Sequence, residues 1–220
     1  MSLDRSQTAA QSNIHHTDTT ETSVHQTTNN VDAHTEKAGI IIIGAGMAGS
    51  RFAIELARAQ LDSVHSHPPI TLISKEPHVG YNRIMLSPVL AGDTAFDDTY
   101  LYDQSDYEQL GITVLAGVSV DTIDTEQQYI ELDNGQTLHY AKVVIATGST
   151  ARVIPFPNHT AKGVHVFRDF TDVTTLTEYA RQGKTGLVIG GGVLGLEAAC
   201  ALAGQGANMT VIHVDGYVLN

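Results

Sequence analysis

The chain carries one local design twice: a short run of β-forming residues breaks into a glycine loop, which opens directly into a helical stretch. The first copy reads GIIIIGAGMAGSRFAIEL from Gly39, and the second reads LVIGGGVLGLEAACALAG from Leu187. Both fit the spacing G-x-G-x-x-G, through Gly44, Gly46 and Gly49 in one and Gly190, Gly192 and Gly195 in the other. In such a loop the first glycine makes the strand-to-helix turn, the second lets backbone approach a pyrophosphate, and the third lets helix and strand pack closely. Free backbone N–H groups and the positive helix end then face the phosphates.

Each match has the context that makes it informative. Ile40 to Ile43 predict a short apolar strand buried on both faces, Met47 to Gln60 have helical spacing, and a loop, LDSVHSHPP, leads to a second strand at Ile70 to Ser74. Leu187 to Ile189, a helix from Val193 to about Ala203 with Gly204 just past its end, and Met209 to His213 predict a second β-α-β unit. Nucleotide binding is the expectation at both loops.

Between them, TVLAGVSV, QYIELD and QTLHYAKVVIAT alternate or run apolar from residue 113 to 147, and Asn134-Gly135 offers the positive-φ pair of a tight hairpin. A small β-meander is predicted, leading into a last buried strand, Val143 to Ala146, with Thr147-Gly148-Ser149 following it. Pro155 and Pro157 mark a boundary. The expected division is a polar tail over 1–37, a first nucleotide domain over 38–152 and a second, truncated one over 153–220. Tail residues are mostly Thr, Ser, Gln, Asn and His, too polar to offset their ordering entropy, so disorder is expected there. Its His15, His16, His25 and His34 lack a regular ligand spacing and read as solvated filler.

Composition narrows the function. A formal charge of −12 argues against a nucleic-acid surface, which needs clustered Lys and Arg. Cys200 is the only cysteine, which excludes an internal disulfide, a Cys-built metal site and a redox dithiol; in its helical setting it reads as a small packed hydrophobe. No apolar run reaches the ~18 residues of a membrane span, and the N-terminus lacks a secretory pattern, so the cytoplasm is the default.

The first unit should offer a carboxylate to a ribose at the end of its second strand. In ITLISKEP, Glu76 stands somewhat more than the usual ~20 residues past the third glycine, the excess being the inserted loop. Its alternative is a solvated acid beside Lys75. Two dinucleotide loops imply two cofactors, and a flavin set against a nicotinamide nucleotide would permit hydride transfer.

The order GAGMAG, a β-meander ending in ATGS, then GGGVLGLEAA resembles the FAD- and NAD(P)H-dependent pyridine nucleotide oxidoreductases over nearly everything from Ala38 onward. Within them, EPHVGYNRIMLSPVLAG, Glu76 to Gly92, is similar to the N-terminal flavoprotein part of the large subunit of assimilatory NAD(P)H nitrite reductase. The resemblance implies an α/β chain: a Rossmann-like FAD-binding domain with an inserted β-meander, followed by an incomplete second Rossmann-like NAD(P)-binding unit. It implies that Gly44, Ala45, Gly46, Met47, Ala48 and Gly49 hold the ADP part of FAD, with Glu76 at the ribose, Lys75 also in the cofactor site and Arg83 close to the cofactor. Val120 would present its backbone to the adenine, and Thr147 and Gly148 would lie beside the dinucleotide. Gly190, Gly192, Val193, Leu194 and Gly195 would take NAD(P)H, with Glu197 near the meeting point of the two cofactors. Arg83 can instead be read as half of a surface salt bridge, Glu197 as an acid favoured by the helix dipole, and Tyr81 as packing.

Three departures bear on the family reading. Rubredoxin and ferredoxin reductases of the family usually carry a lysine after Leu-Ser, whereas Leu86-Ser87 is followed by Pro88, which favours the nitrite reductase branch. Disulfide reductases carry a cysteine pair, which is missing. The elements that complete the family's fold, and the iron–sulfur and sirohaem modules of nitrite reductases, are also missing before Asn220, so a fragment or split gene product is expected. In VIHVDG, His213 ends the last strand and Asp215 lies just beyond, which favours NADH. The expected function is hydride transfer from NAD(P)H to FAD and onward to iron centres in another module or chain, with no side chain acting as nucleophile or base and no bound metal ion. The rivals are a rubredoxin- or ferredoxin-type reductase and a non-catalytic nucleotide-binding remnant; homo-oligomerisation is left open.

Overall fold

The computed structural model describes residues 39–62 and 65–219, all within one compact unit, Lys37–Asn220. The tail and its histidines lie outside the described residues.

A six-stranded sheet organises the first part of the chain. Its strands are β1 (Gly39–Ile43), β2 (Ile70–Ser74), β3 (Ile112–Ala116), β4 (Val120–Asp124), β5 (Tyr129–Leu132) and β6 (Thr137–Ile145), in the order β3-β2-β1-β6-β5-β4. Strands β3, β2, β1 and β6 run parallel, while β4 and β5 continue antiparallel from β6. The continuous isoleucine run of β1 is explained by two-sided burial. Ile42 joins Leu72 and the helix α1 (Met47–Leu61) on one face, and Ile41 and Ile43 join Ile73, Ile130 and Leu132 on the other. Helix α1 presents Gly49, Ser50, Ala53, Ile54 and Ala57 to the sheet, the i, i+4, i+8 stripe of a one-sided helix. Fully burying side chains such as Ile42, Ile54 and Leu72 contributes about 1.5–3 kcal/mol each.

The second part is a parallel pair, β7 (Thr185–Ile189) and β8 (Asn208–Ile212), crossed by α5 (Val193–Gly204). Three further helices are α2 (Leu86–Ala91), α3 (Gln104–Gln109), which packs on β3, and α4 (Phe170–Arg181). Leu86 and Leu90 of α2, Val173 and Ala180 of α4, and Ala198, Ala201 and Leu202 of α5 make a third core that binds the two parts together. A capping box at Asp169 and Asp172 starts α4.

Several sequence expectations are corrected. The stretch after residue 112 is not all meander: Ile112–Ala116 pairs parallel with β2 as the edge of the main sheet, because its side chains complete the α1 and α3 core. The last meander strand is longer than expected and not buried at its end, where Ile145 is 65% exposed. At the hairpin only Gly135 takes positive φ; Asn134 instead accepts from the Gln136 amide through its side chain, giving a three-residue loop with a bulge. Gly204 is the last helical residue of α5, and Gly206 supplies the left-handed position beyond it. Strand β8 ends at Ile212, leaving His213 outside. Cys200 is exposed on α5 rather than packed.

Candidate functional site

The two glycine loops have the same internal geometry. Gly44 and Gly190 take φ of 104° and 118°, a region open to glycine alone among ordinary residues, and their amides donate to Ile73 and Ile212 across the strand pair at 2.8 and 2.9 Å. A Cβ on Gly49 would collide with the Gly44 carbonyl oxygen, and one on Gly195 with that of Gly190. The third glycine thus sets the helix down on the loop in both units. By contrast, a Cβ on Gly46 or Gly192 would meet nothing within 4 Å. These glycines face open space, the arrangement a close-lying ligand requires.

Gly46 and Gly192 are also the N-caps of α1 and α5. Neither helix has a side-chain cap or an acid in its first turn, so the amides of Met47, Ala48, Val193 and Leu194 stand at a positive helix end that no side-chain carboxylate of that turn offsets. Ala45 is buried, and its carbonyl accepts from the Ser50 hydroxyl and the Gly80 amide, which folds residues 76–83 over the first loop.

Glu76 follows β2 and is fixed from both sides. The Tyr81 hydroxyl donates to one carboxylate oxygen at 2.6 Å, and the Arg83 guanidinium pairs with the other. Arg83 also lies 5.1 Å from the centre of the Tyr81 ring and donates to the Arg168 carbonyl at 3.1 Å. Burial, and then the hydrogen bond to Glu76, hold the Tyr81 phenol well above its ordinary range. Glu76 is therefore a paired acid rather than a solvated one, and Lys75 beside it is exposed.

The remaining residues of the first site lie along the same strand ends. The Gly117 and Val118 amides donate to the carbonyls of Glu76 and Ser74, and two residues later Val120 opens β4. Thr147 lies two residues past β6, against Gly44, whose added Cβ would strike the Ala146 carbonyl and the Thr147 amide. Gly148 stands next to Ser149, which accepts from the Arg168 guanidinium at 2.9 Å. Arg168 was not singled out from the sequence: it is an isolated base in VFRDF, with no motif spacing to mark it. Glu197, on α5, accepts from the Ser87 hydroxyl of α2 at 2.5 Å, so the helix of the second loop is tied to the segment that follows Arg83.

Among the described residues there is no group of three His, Cys, Asp or Glu side chains placed to hold a metal ion, and no helix long and apolar enough to cross a membrane.

Parallel strands, crossing helices and two glycine loops of one geometry define a Rossmann-like α/β protein. The family model described as pyridine nucleotide-disulphide oxidoreductase matches residues 38–220, and the chain belongs to that family. It is 39% identical over 178 residues to the assimilatory nitrate reductase electron transfer subunit of Bacillus subtilis (strain 168), covering 81% of this chain and 23% of that protein. It is 38% identical over 183 residues to the nitrite reductase [NAD(P)H] of the same organism, covering 83% of this chain and 22% of the relative. Among solved structures it resembles the NADH:rubredoxin oxidoreductase from Clostridium acetobutylicum, with a TM-score of 0.67 and 27% identity over 79% of this chain and 43% of that one. The chain thus spans less than half the length of each of these relatives.

Proposed function

We propose that residues 38–152 bind FAD and that residues 153–220 begin a NAD(P)H site, the pair moving reducing equivalents from NADH through FAD to an iron-centred acceptor in another module or chain, as nitrite reduction in nitrate assimilation requires. The observation that carries this reading is the repeated loop: two uncapped helix ends, each behind a glycine with open space before it, in a chain similar to NAD(P)H-named nitrite reductases.

Bound at the first loop, FAD would supply the conversion from two-electron to one-electron chemistry. The chain's own part is binding and orientation. Amides at Gly46, Met47 and Ala48 would hold the pyrophosphate, and Glu76, kept rigid by Tyr81 and Arg83, the ribose, with Lys75 at the rim. Val120 would meet the adenine through its backbone, and Thr147 and Gly148 would flank the dinucleotide beside Arg168. At the second loop Gly190, Gly192, Val193, Leu194 and Gly195 would hold the nicotinamide nucleotide, with Glu197 positioned by Ser87 where the cofactors meet. NADH is favoured because the segment from Asn208 to Leu219 contains no Lys or Arg to receive a 2′-phosphate.

A rubredoxin- or ferredoxin-type acceptor is the second reading, supported by the likeness to the rubredoxin oxidoreductase and opposed by Pro88. The test is the visible spectrum of the chain reconstituted with FAD, followed by anaerobic NADH. A flavin band that bleaches supports the reading; a folded chain that takes up no flavin overturns it and leaves a nucleotide-loop remnant. Dye, rubredoxin and nitrite-reductase acceptors then separate the two readings.

A further inference from the structure

The two units can be aligned by register. Ile43 pairs with Ile73 and Ile189 pairs with Ile212, and in each unit the next glycine donates to the carbonyl of the second isoleucine. Counting on from those isoleucines, His213 stands where Ser74 stands, and Asp215 stands where Glu76 stands. The usual acid at the strand end is thus displaced two residues outward in both units, and each displaced acid has a side-chain partner beside it. For Glu76 these are Tyr81 and Arg83.

For Asp215 the neighbour is His213. The Gly191 amide donates to His213 Nδ1 at 3.0 Å, and His213 Nε2 lies 3.6 Å from the Asp215 carboxylate. An amide N–H can only donate, so Nδ1 carries no proton and the ring's proton sits on Nε2, the atom turned toward Asp215. The ring is largely buried and seated on Gly191, where a Cβ would run into it and into Val218. One imidazole therefore connects the middle of the second glycine loop to the acid beyond β8.

We propose that His213 is a specificity-determining positioning residue: it holds Asp215 at the ribose of the nicotinamide nucleotide, so that a free 2′-hydroxyl is accepted and a 2′-phosphate repelled. This rests on the second loop being the nicotinamide nucleotide site. A carboxylate accepts a hydrogen bond from the hydroxyl, whereas a phosphate at the same place sets like charges together, and discrimination is the difference between those two affinities.

The test is calorimetric titration of the full chain with NADH and with NADPH, alongside imidazole nitrogen NMR. The wild-type chain should prefer NADH by about tenfold or more. Asp215→Asn should bring that ratio close to one. His213→Asn keeps an acceptor for Gly191 but has nothing at the Nε2 position, so it should retain loop binding yet lose most of the preference, and the double variant should lose no more than Asp215→Asn alone. An unchanged ratio in either single variant overturns the proposal while leaving nucleotide binding intact. A wild-type ring protonated on Nδ1 overturns it regardless of any nucleotide. A folded chain that binds neither nucleotide removes the second-loop reading itself, and the proposal with it.

Discussion

The Ser87 hydroxyl donates to Glu197 at 2.5 Å, across the junction between α2 and the helix that opens from the second glycine loop. Pro88 can contribute no cation here, and this hydrogen bond ties Glu197 to α2. An exposed bond of this kind contributes about 1 kcal/mol or less to stability. Ser87→Ala should therefore shift Tm by no more than a few degrees. Its effect on flavin reduction by NADH should be larger, a slowing of about tenfold, because the place proposed for Glu197 is the cofactor junction, where a group acts through position. Stopped-flow reduction beside a thermal melt checks both.

Gly46 and Gly49 are three residues apart and should behave oppositely. Gly49→Ala puts a methyl into the Gly44 carbonyl, and the sheet cannot yield without breaking the first core, so loss of folding or a drop of about 2 kcal/mol or more is expected. Gly46 has φ −74° and free space, so Ala is tolerated by the fold. The methyl then occupies the approach proposed for FAD, and FAD affinity should fall by about tenfold or more with an unchanged melt. Urea unfolding and flavin titration on both variants separate the roles.

The two β-α-β units were legible because their evidence is local: β-former runs, glycine spacing and helical periodicity all lie within consecutive residues. The placement of β3 was not, since Ile112–Ala116 looks like the strands that follow it and only the α1 and α3 core decides its partner. Glu76 could be found by counting from the glycines, but its pairing with Tyr81 and Arg83 depends on how residues 76–83 fold over Ala45. Arg168, and the contact that seats His213, were hidden for the same reason. Each residue acts through a contact far away in sequence, one at Ser149 and one at Gly191.

One face of the β7–β8 pair packs on α5, and the other is open: Leu187 is 56% exposed, and Ile189 and Ile212 nearly half. Parallel strands are normally covered on both faces, so these side chains form an apolar patch rather than a scatter. The native chain should enhance the fluorescence of an apolar dye. Leu187→Gln combined with Ile212→Gln should reduce that signal and change stability by only about 0.5 kcal/mol per site, as for other exposed positions.

Tyr81 gives the fold a dependence on alkaline pH. Its phenol is held protonated in the folded chain above the ordinary value of 10.0, through burial and the bond to Glu76. The folded state thus binds this proton more tightly than the unfolded state. Its contribution is complete below about pH 10 and is lost as pH rises toward the folded value. Tyr81→Phe removes both the hydrogen bond and the titration. The variant should be less stable than wild type by about 1 kcal/mol near neutrality, and the gap should narrow above about pH 10. Tyr100 and Tyr107 are shifted in the same direction, so the comparison must be between the two proteins at each pH rather than along one curve. Urea unfolding of both at about pH 8 and about pH 10.5 reads the difference. A gap of constant size would mean that the Tyr81 phenol titrates alike in the folded and unfolded chain, and that its bond to Glu76 does not hold the proton.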